Sequence, residues 1–238
     1  DPYQPAEERY GLMRGAAEIL AQHDLPVSVM TKSALALRDL DIWTQAHRRG
    51  GFLLQVSLIT LDDSLRAGFE PGASSVGARL DMISAFASAG IPVGVLMMPL
   101  LPGISDASDQ VEALTRELGS RGVRFVIPGA LTLRPGRQKE YYLTRIRERR
   151  PDLEPHYGRL YAENRQSGAP IAAYRRDFMR AVLPVLAREQ LPGLTPHALY
   201  RNWMPLYDSV HVLLMHMREL YDARGVDTRP LARALGRY

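Results

Sequence analysis

The sequence has 238 residues, 46% of them hydrophobic, with 30 Lys plus Arg against 26 Asp plus Glu and a pI near 9.5. That is enough apolar material for one sizeable core, or for a main domain with a smaller one appended, and no run of 18 or more apolar residues suits a membrane span. There is no cysteine, which excludes disulfides, thiolate zinc sites and a Cys-ligated iron–sulfur cluster within this polypeptide.

The opening, DPYQPAEERYG, has neither the basic n-region nor the apolar h-region of a signal peptide, so a cytoplasmic protein is expected. Pro5 and the Glu7–Glu8 pair suit a first helical turn, and the pattern predicts a helix to about Gln22. Four segments of one kind follow, each an apolar run, a cap signal, an amphipathic helix and a glycine stop. The first run is VSVMT at 27–31, with Ser33 as cap and a helix carrying Leu35, Leu37, Leu40, Ile42 and Trp43. The second is FLLQVSLIT at 52–60, with a helix starting near Ser74–Ser75. The third is IPVGVLMMPLL at 91–101, with Ser105 or Asp106 as cap. The fourth is VRFVIPGALTL at 123–133.

This strand–helix alternation, with strands apolar on both faces, predicts a parallel sheet covered by helices. A doubly wound sheet and a barrel sector both satisfy it. No G-x-G-x-x-G or P-loop follows any strand, and no G-x-S-x-G occurs. After Pro135 the sequence reads as helices over roughly 137–150, 154–166, 170–190 and 196–222. The expected division is therefore 1–134 for the α/β part and 135–238 for a helical region.

In parallel α/β folds, ligands bind at the carboxyl ends of the strands. Those ends hold Thr31-Lys32-Ser33, Ser57 to Asp62, Met98 to Asp106 and Thr132 to Arg134. Such a rim suits a small ligand with a carboxylate and a flat apolar part. Lys32 is one of only two lysines, the other being Lys139, in a chain that otherwise uses arginine. A compact ammonium there suits a ligand carboxylate, although a snorkelling surface lysine would read the same way. Ser57 reads either as a donor to that ligand or as a core hydroxyl. Glu70 and Arg79 are expected to tie the loop after the second strand to its helix. His211 and His216 are five apart and share no helix face, and the other histidines are scattered, so no metal site is expected.

The blocks DPYQPAEERYGL, VMTKSALALRDLD, VSLITLDDSLRAGFEPGASSVGARLDMI and AGIPVGVLMMPLLPGISD, taken in order over residues 1–134, resemble radical S-adenosylmethionine (SAM) proteins of the spore photoproduct lyase type. The resemblance implies a partial parallel β/α (TIM-like) barrel, with SAM and a 4Fe–4S cluster at its mouth and lyase chemistry of a DNA-repair kind. It implies that Lys32 and Ser57 meet the methionine part of SAM, and that Pro99, Leu100, Leu101 and Gly103 lie near the adenine. Tyr3 and Gln4 would end the second barrel strand on the cofactor side. The cluster loop of that family carries three cysteines, so the first β/α unit is expected upstream of Asp1, and this chain alone is expected to be inactive in radical chemistry. The catalytic residues are not legible.

Charge is concentrated from Arg134 to Arg150, RPGRQKEYYLTRIRERR, where seven basic residues face two acidic ones. This run reads as a nucleic-acid-facing patch or as a solvated helix. A non-redox nucleic-acid-binding module is therefore the alternative to the enzyme. A third reading is an unrelated α/β enzyme using the rim carboxylates Asp62, Asp63 and Glu70. An uncovered sheet edge would also favour self-association.

Overall fold

A computed structural model of the chain describes residues 1–236. It falls into two compact units, Asp1–Thr195 and Pro196–Tyr238. The first is built on a four-stranded sheet, all parallel, in the order β1 (Val27–Thr31), β2 (Phe52–Ser57), β3 (Val93–Leu100), β4 (Phe125–Ala130). Spatial order thus follows chain order. The register pairs Thr31 with Val56, Ser57 with Leu96 and Leu100 with Ala130, which brings all four carboxyl ends to one rim. Among the described residues no further strand closes the sheet into a barrel.

Its helices are α1 (Ala6–Tyr10), α2 (Leu12–Gln22), α3 (Leu40–Arg49), α4 (Asp63–Phe69), α5 (Val76–Ser88), α6 (Ser108–Ser120), α7 (Arg137–Arg149), α8 (Glu154–Leu160) and α9 (Ala172–Arg188). The predicted first helix is divided at Gly11, whose φ of +60° suits a residue without Cβ and forms the cap between α1 and α2. Ser33 does act as a cap, accepting from the Leu35 amide, but for a 3₁₀ turn over Ala34–Asp39 that leads into α3. Helix α4 occupies what reads in sequence as loop. Asp62 starts it by accepting the amides of Ser64 and Leu65.

The core lies between the sheet and the helices. Trp43 of α3 stacks on Phe52 of β2 with ring centroids 4.3 Å apart, and Phe86 of α5 leans on the same ring. The helices α7 to α9 belong to the same compact unit as the sheet, which extends that unit well beyond residue 134. Tyr161 of the α8 end donates to the Leu131 carbonyl just after β4. Tyr174 of α9 donates to Asp106 after β3. The second unit contains α10 (Leu206–Ala223) and α11 (Arg229–Leu235). No described helix is long and apolar enough to cross a membrane.

One core position tests this packing. A Cβ at Gly94 of β3 would lie 2.1 Å from the Phe125 ring of β4, and that ring is fully buried. Gly94→Ala is expected to cost about 1–3 kcal/mol through overpacking. Urea unfolding should show it, and an unchanged midpoint would contradict the β3–β4 packing described.

Candidate functional site

The rim where the strands end surrounds a cavity of about 460 Å³. Each strand contributes to it: Lys32 follows β1, Ile59 follows β2, Pro99 and Leu101 mark the end of β3, and Leu131 follows β4. The second wall is the end of α4 and the loop beyond, from Ala67 to Pro71. The third is one face of α7, with Tyr141, Tyr142, Arg145 and Arg149. Tyr141, Arg145 and Arg149 are four apart and so share a helix face.

Lys32 is held at both ends. Its amide donates to the Asp1 carboxylate at 2.7 Å, whose other oxygen accepts from the Thr31 hydroxyl. Its carbonyl accepts the Ser74 amide, and the Ser74 hydroxyl accepts the Ala34 amide. The loops after β1 and β2 are thereby laced together. At the far end, Lys32 Nζ donates to Glu70 Oε1 at 2.7 Å, while Glu70 Oε2 accepts from Arg79 Nη1 at 3.0 Å. Arg79 Nη1 also donates to the Ser57 carbonyl at the end of β2.

These three charges differ sharply in solvation. The side chains of Arg79, Glu70 and Lys32 are 0%, 8% and 39% exposed. Arg79 is short of partners, since its Nε and Nη2 have none among the described residues. Among the described residues Glu70 is its one carboxylate partner by ion pairing. Removing one member of a buried pair costs about 3–5 kcal/mol, whereas a half-exposed pair is worth about 0–1 kcal/mol. Glu70 is therefore pinned by Arg79, and Lys32 is the movable member.

The loop bearing Glu70 is closed by Asp63. Its carboxylate takes Arg66 and the Val76 amide, which joins the start of α4 to the start of α5. The Arg66 hydrogen bonds, then the Val76 amide, hold its pKa down to about 2. On the α7 wall, burial pushes the Tyr142 phenol up to about 12, against the hydrogen bond to the Tyr157 hydroxyl at 3.0 Å, so it stays a neutral hydroxyl through the physiological range.

The charge of the basic run is largely matched locally. Arg145 pairs with Glu148, Arg147 with Glu154 and Arg150 with Asp152. Lys139 donates to Asn164 and to the Tyr161 carbonyl. Arg149 donates to the Gly68 carbonyl in the last turn of α4, a favourable end for a cation. Arg134 and Arg137 form no ion pair among the described residues. The run is thus mainly a cavity wall and a brace.

Of the residues picked from sequence as cofactor contacts, Lys32, Pro99 and Leu101 line the cavity, and so does Glu70, which was read as a loop tie and a rim carboxylate. Ser57, Leu100, Gly103, Tyr3 and Gln4 are not among its lining residues. Ser57 presents its carbonyl to Arg79. Leu100 is fully buried, and the Gly103 amide donates to Asp106. Tyr3 is buried between Asp39, to which its hydroxyl donates, and the Trp43 indole, which donates to it. Gln4 donates to the Asp1 carbonyl. Sequence reading placed Glu70 on the rim but missed helix α4, which brings Ala67 to Phe69 there, although the Asp62-Asp63-Ser64 cap signal was there to be read. It also missed the i, i+4, i+8 alignment of Tyr141, Arg145 and Arg149. Among the described residues no group of three or more His, Asp or Glu is arranged to hold a metal ion.

No family model matches the sequence. Uncharacterized proteins of Mycobacterium tuberculosis and Mycobacterium bovis are each 32% identical over 193 residues, 81% of this chain and 56% of theirs. An uncharacterized protein of Acidianus two-tailed virus is 27% identical over 169 residues, 68% of this chain and 54% of its own. The chain thus spans about half the length of the curated relatives it matches. In structure it resembles spore photoproduct lyase complexed with dinucleoside spore photoproduct, with a TM-score of 0.56 and 18% identity over 79% of this chain and 55% of that one. A mutant of that lyase with bound AdoMet and dinucleoside spore photoproduct gives the same values. This likeness is one of fold.

Two outcomes follow from the charge network. Glu70→Ala should lower stability by about 3–5 kcal/mol and Lys32→Ala by less than about 1 kcal/mol. Equal losses in urea unfolding would contradict the ranking. The folded pKa of Asp63 lies below its unfolded value, so the stability it adds is present above about pH 4 and is lost as pH falls towards 2. Asp63→Asn should flatten that acid limb of the melting-temperature profile, and an unaltered limb would speak against the bridge to Val76.

Proposed function

We propose that this chain is the cofactor-holding sector of a radical SAM enzyme related to spore photoproduct lyase, and that its cavity binds S-adenosylmethionine. The supporting observation is the convergence of all four strand ends on one cavity that carries one ammonium and, beside it, an apolar ledge. Its volume lies in the range of small-molecule sites. Lys32 meets the carboxylate of the amino-acid moiety as a point charge. Ile59, Pro99, Leu101 and Leu131 take the adenosine. Ser57, Leu100 and Gly103 support that ledge from behind, with Tyr3 and Gln4 at the neighbouring end of the chain.

Strands in sequential order with all carboxyl ends level are what a sector of a β/α barrel requires. We assign residues 1–134 to the cofactor and the α7 wall, which meets the cavity, to the substrate side.

S-adenosylmethionine supplies an activated carbon–sulfur bond. The chain's own residues bind its carboxylate, orient the nucleoside and shield it from water. A 4Fe–4S cluster does not fit these residues, because its ligands are thiolates and the sequence has none. Cluster ligation and the redox step therefore belong to cysteines that this sequence does not contain, and the chain alone is proposed to bind cofactor without turnover.

A second reading, nucleic-acid binding without redox chemistry, draws on Tyr141, Arg145 and Arg149 at the mouth. The two readings join if the substrate is itself a nucleotide, since the similar lyase is seen with a dinucleoside. The local pairing of Arg145, Arg147 and Arg150 makes the cavity the better-supported site.

Isothermal titration with S-adenosylhomocysteine tests the first reading. The wild-type chain should bind it, and Lys32→Ala should weaken binding about tenfold or more, equivalent to about 1.4 kcal/mol. Equal affinity would remove Lys32 from the site.

A further inference from the structure

We propose that Glu70 is a positioning residue that aims the Lys32 ammonium into the cavity, with Arg79 as the buried strut that fixes Glu70. This rests on the reading of the cavity as a site for an adenosyl amino acid, and it adds a residue which that reading does not require. Three observations point to it. Among the described residues Lys32 Nζ has one acceptor, Glu70 Oε1, and an ammonium has three donors, so two remain for a ligand carboxylate while the first is held. Glu70 cannot follow the lysine outward, because its other oxygen is tied to a guanidinium with no solvent access. Glu70 also ends α4, with its amide on the Arg66 carbonyl, so its own backbone is fixed by the helix.

A lysine side chain left to itself loses much rotamer freedom when it captures a ligand. Held in place beforehand, it loses less, and the gain appears as affinity for the carboxylate alone. The opposite role is equally definite: Glu70 would compete with the ligand for the ammonium, and its removal would tighten binding. The two roles differ in sign.

Glu70→Gln separates them. In glutamine one of the two positions that now accept from Lys32 and Arg79 becomes an NH2 donor, so in this geometry only one cation keeps its acceptor, and the buried Arg79 has the greater need. Two ligands are titrated: S-adenosylhomocysteine, which has the carboxylate, and 5′-methylthioadenosine, which lacks the amino-acid part. In the wild type the first should bind about tenfold or more tighter. In Glu70→Gln that ratio should fall towards one while methylthioadenosine affinity is unchanged, and Glu70→Asp should restore part of it.

A ligand-free readout accompanies this. The chain has only two lysines, so acetic anhydride labelling followed by peptide mapping reports Lys32 against Lys139, whose donors go elsewhere. Labelling of Lys32 should accelerate several-fold in Glu70→Gln relative to Lys139. Unchanged Lys32 labelling, or tighter S-adenosylhomocysteine binding by the variant, overturns the positioning role. A wild-type chain that binds neither nucleoside rejects the cofactor reading instead, while the labelling still decides whether Glu70 holds Lys32.

Discussion

One carboxylate serves two cations at the rim of the sheet. Glu70 faces a guanidinium that water cannot reach on one side and a rim ammonium on the other. The inequality of these partners gives the site its direction. Burial makes the Arg79 contact hard to give up, so the carboxylate stays where the helix end and the strut place it. The lysine, still touching solvent, is the member that can offer its remaining donors to a ligand without exposing a buried charge. The arrangement leaves an excess of one positive charge over the three groups, which suits an anionic ligand group.

That trio exists only because the sheet is parallel. Its register levels the ends of β1 to β4, so residues far apart in sequence meet at one opening. A parallel sheet also requires crossovers between its strands; the one from β2 to β3 carries α4, which supplies the second wall, and α7, which follows the last strand, supplies the third. Arg149 of α7 rests on the carbonyl of Gly68, where a Cβ would lie 2.6 Å from its Nη1 and the guanidinium would have to shift to admit one. The tyrosines of α8 and α9 reach back to Leu131 and Asp106 at the ends of β4 and β3. The later helices thus brace the rim that the earlier strands create.

The strands and the rim were legible because apolar runs with caps and glycine stops are local signals. Lys32 stood out because its rarity is visible without any structure, and Pro99 and Leu101 followed from strand polarity. What stayed hidden depends on distance in sequence. The α7 wall lies some hundred residues from Lys32 and read as surface charge. Within the run only Glu140 and Glu148 offer themselves as partners; Arg147 and Arg150 find theirs when the following turn brings Glu154 and Asp152 alongside. Tyr3 was drawn to the cofactor by resemblance, yet its hydroxyl is used by Trp43 and Asp39. Glu70 and Arg79 were correctly linked as a tie between loop and helix. The third partner, Lys32, was not foreseen, because a contact from one strand end to the next loop leaves no pattern in either segment.

Hydrogen–deuterium exchange of the chain with and without saturating S-adenosylhomocysteine tests the central claim most directly. The account predicts that protection appears together in three separated segments, 67–71, 97–101 and 141–149, which share nothing in sequence and meet only around the cavity. Protection confined to one of them, or placed elsewhere in the chain, would contradict it.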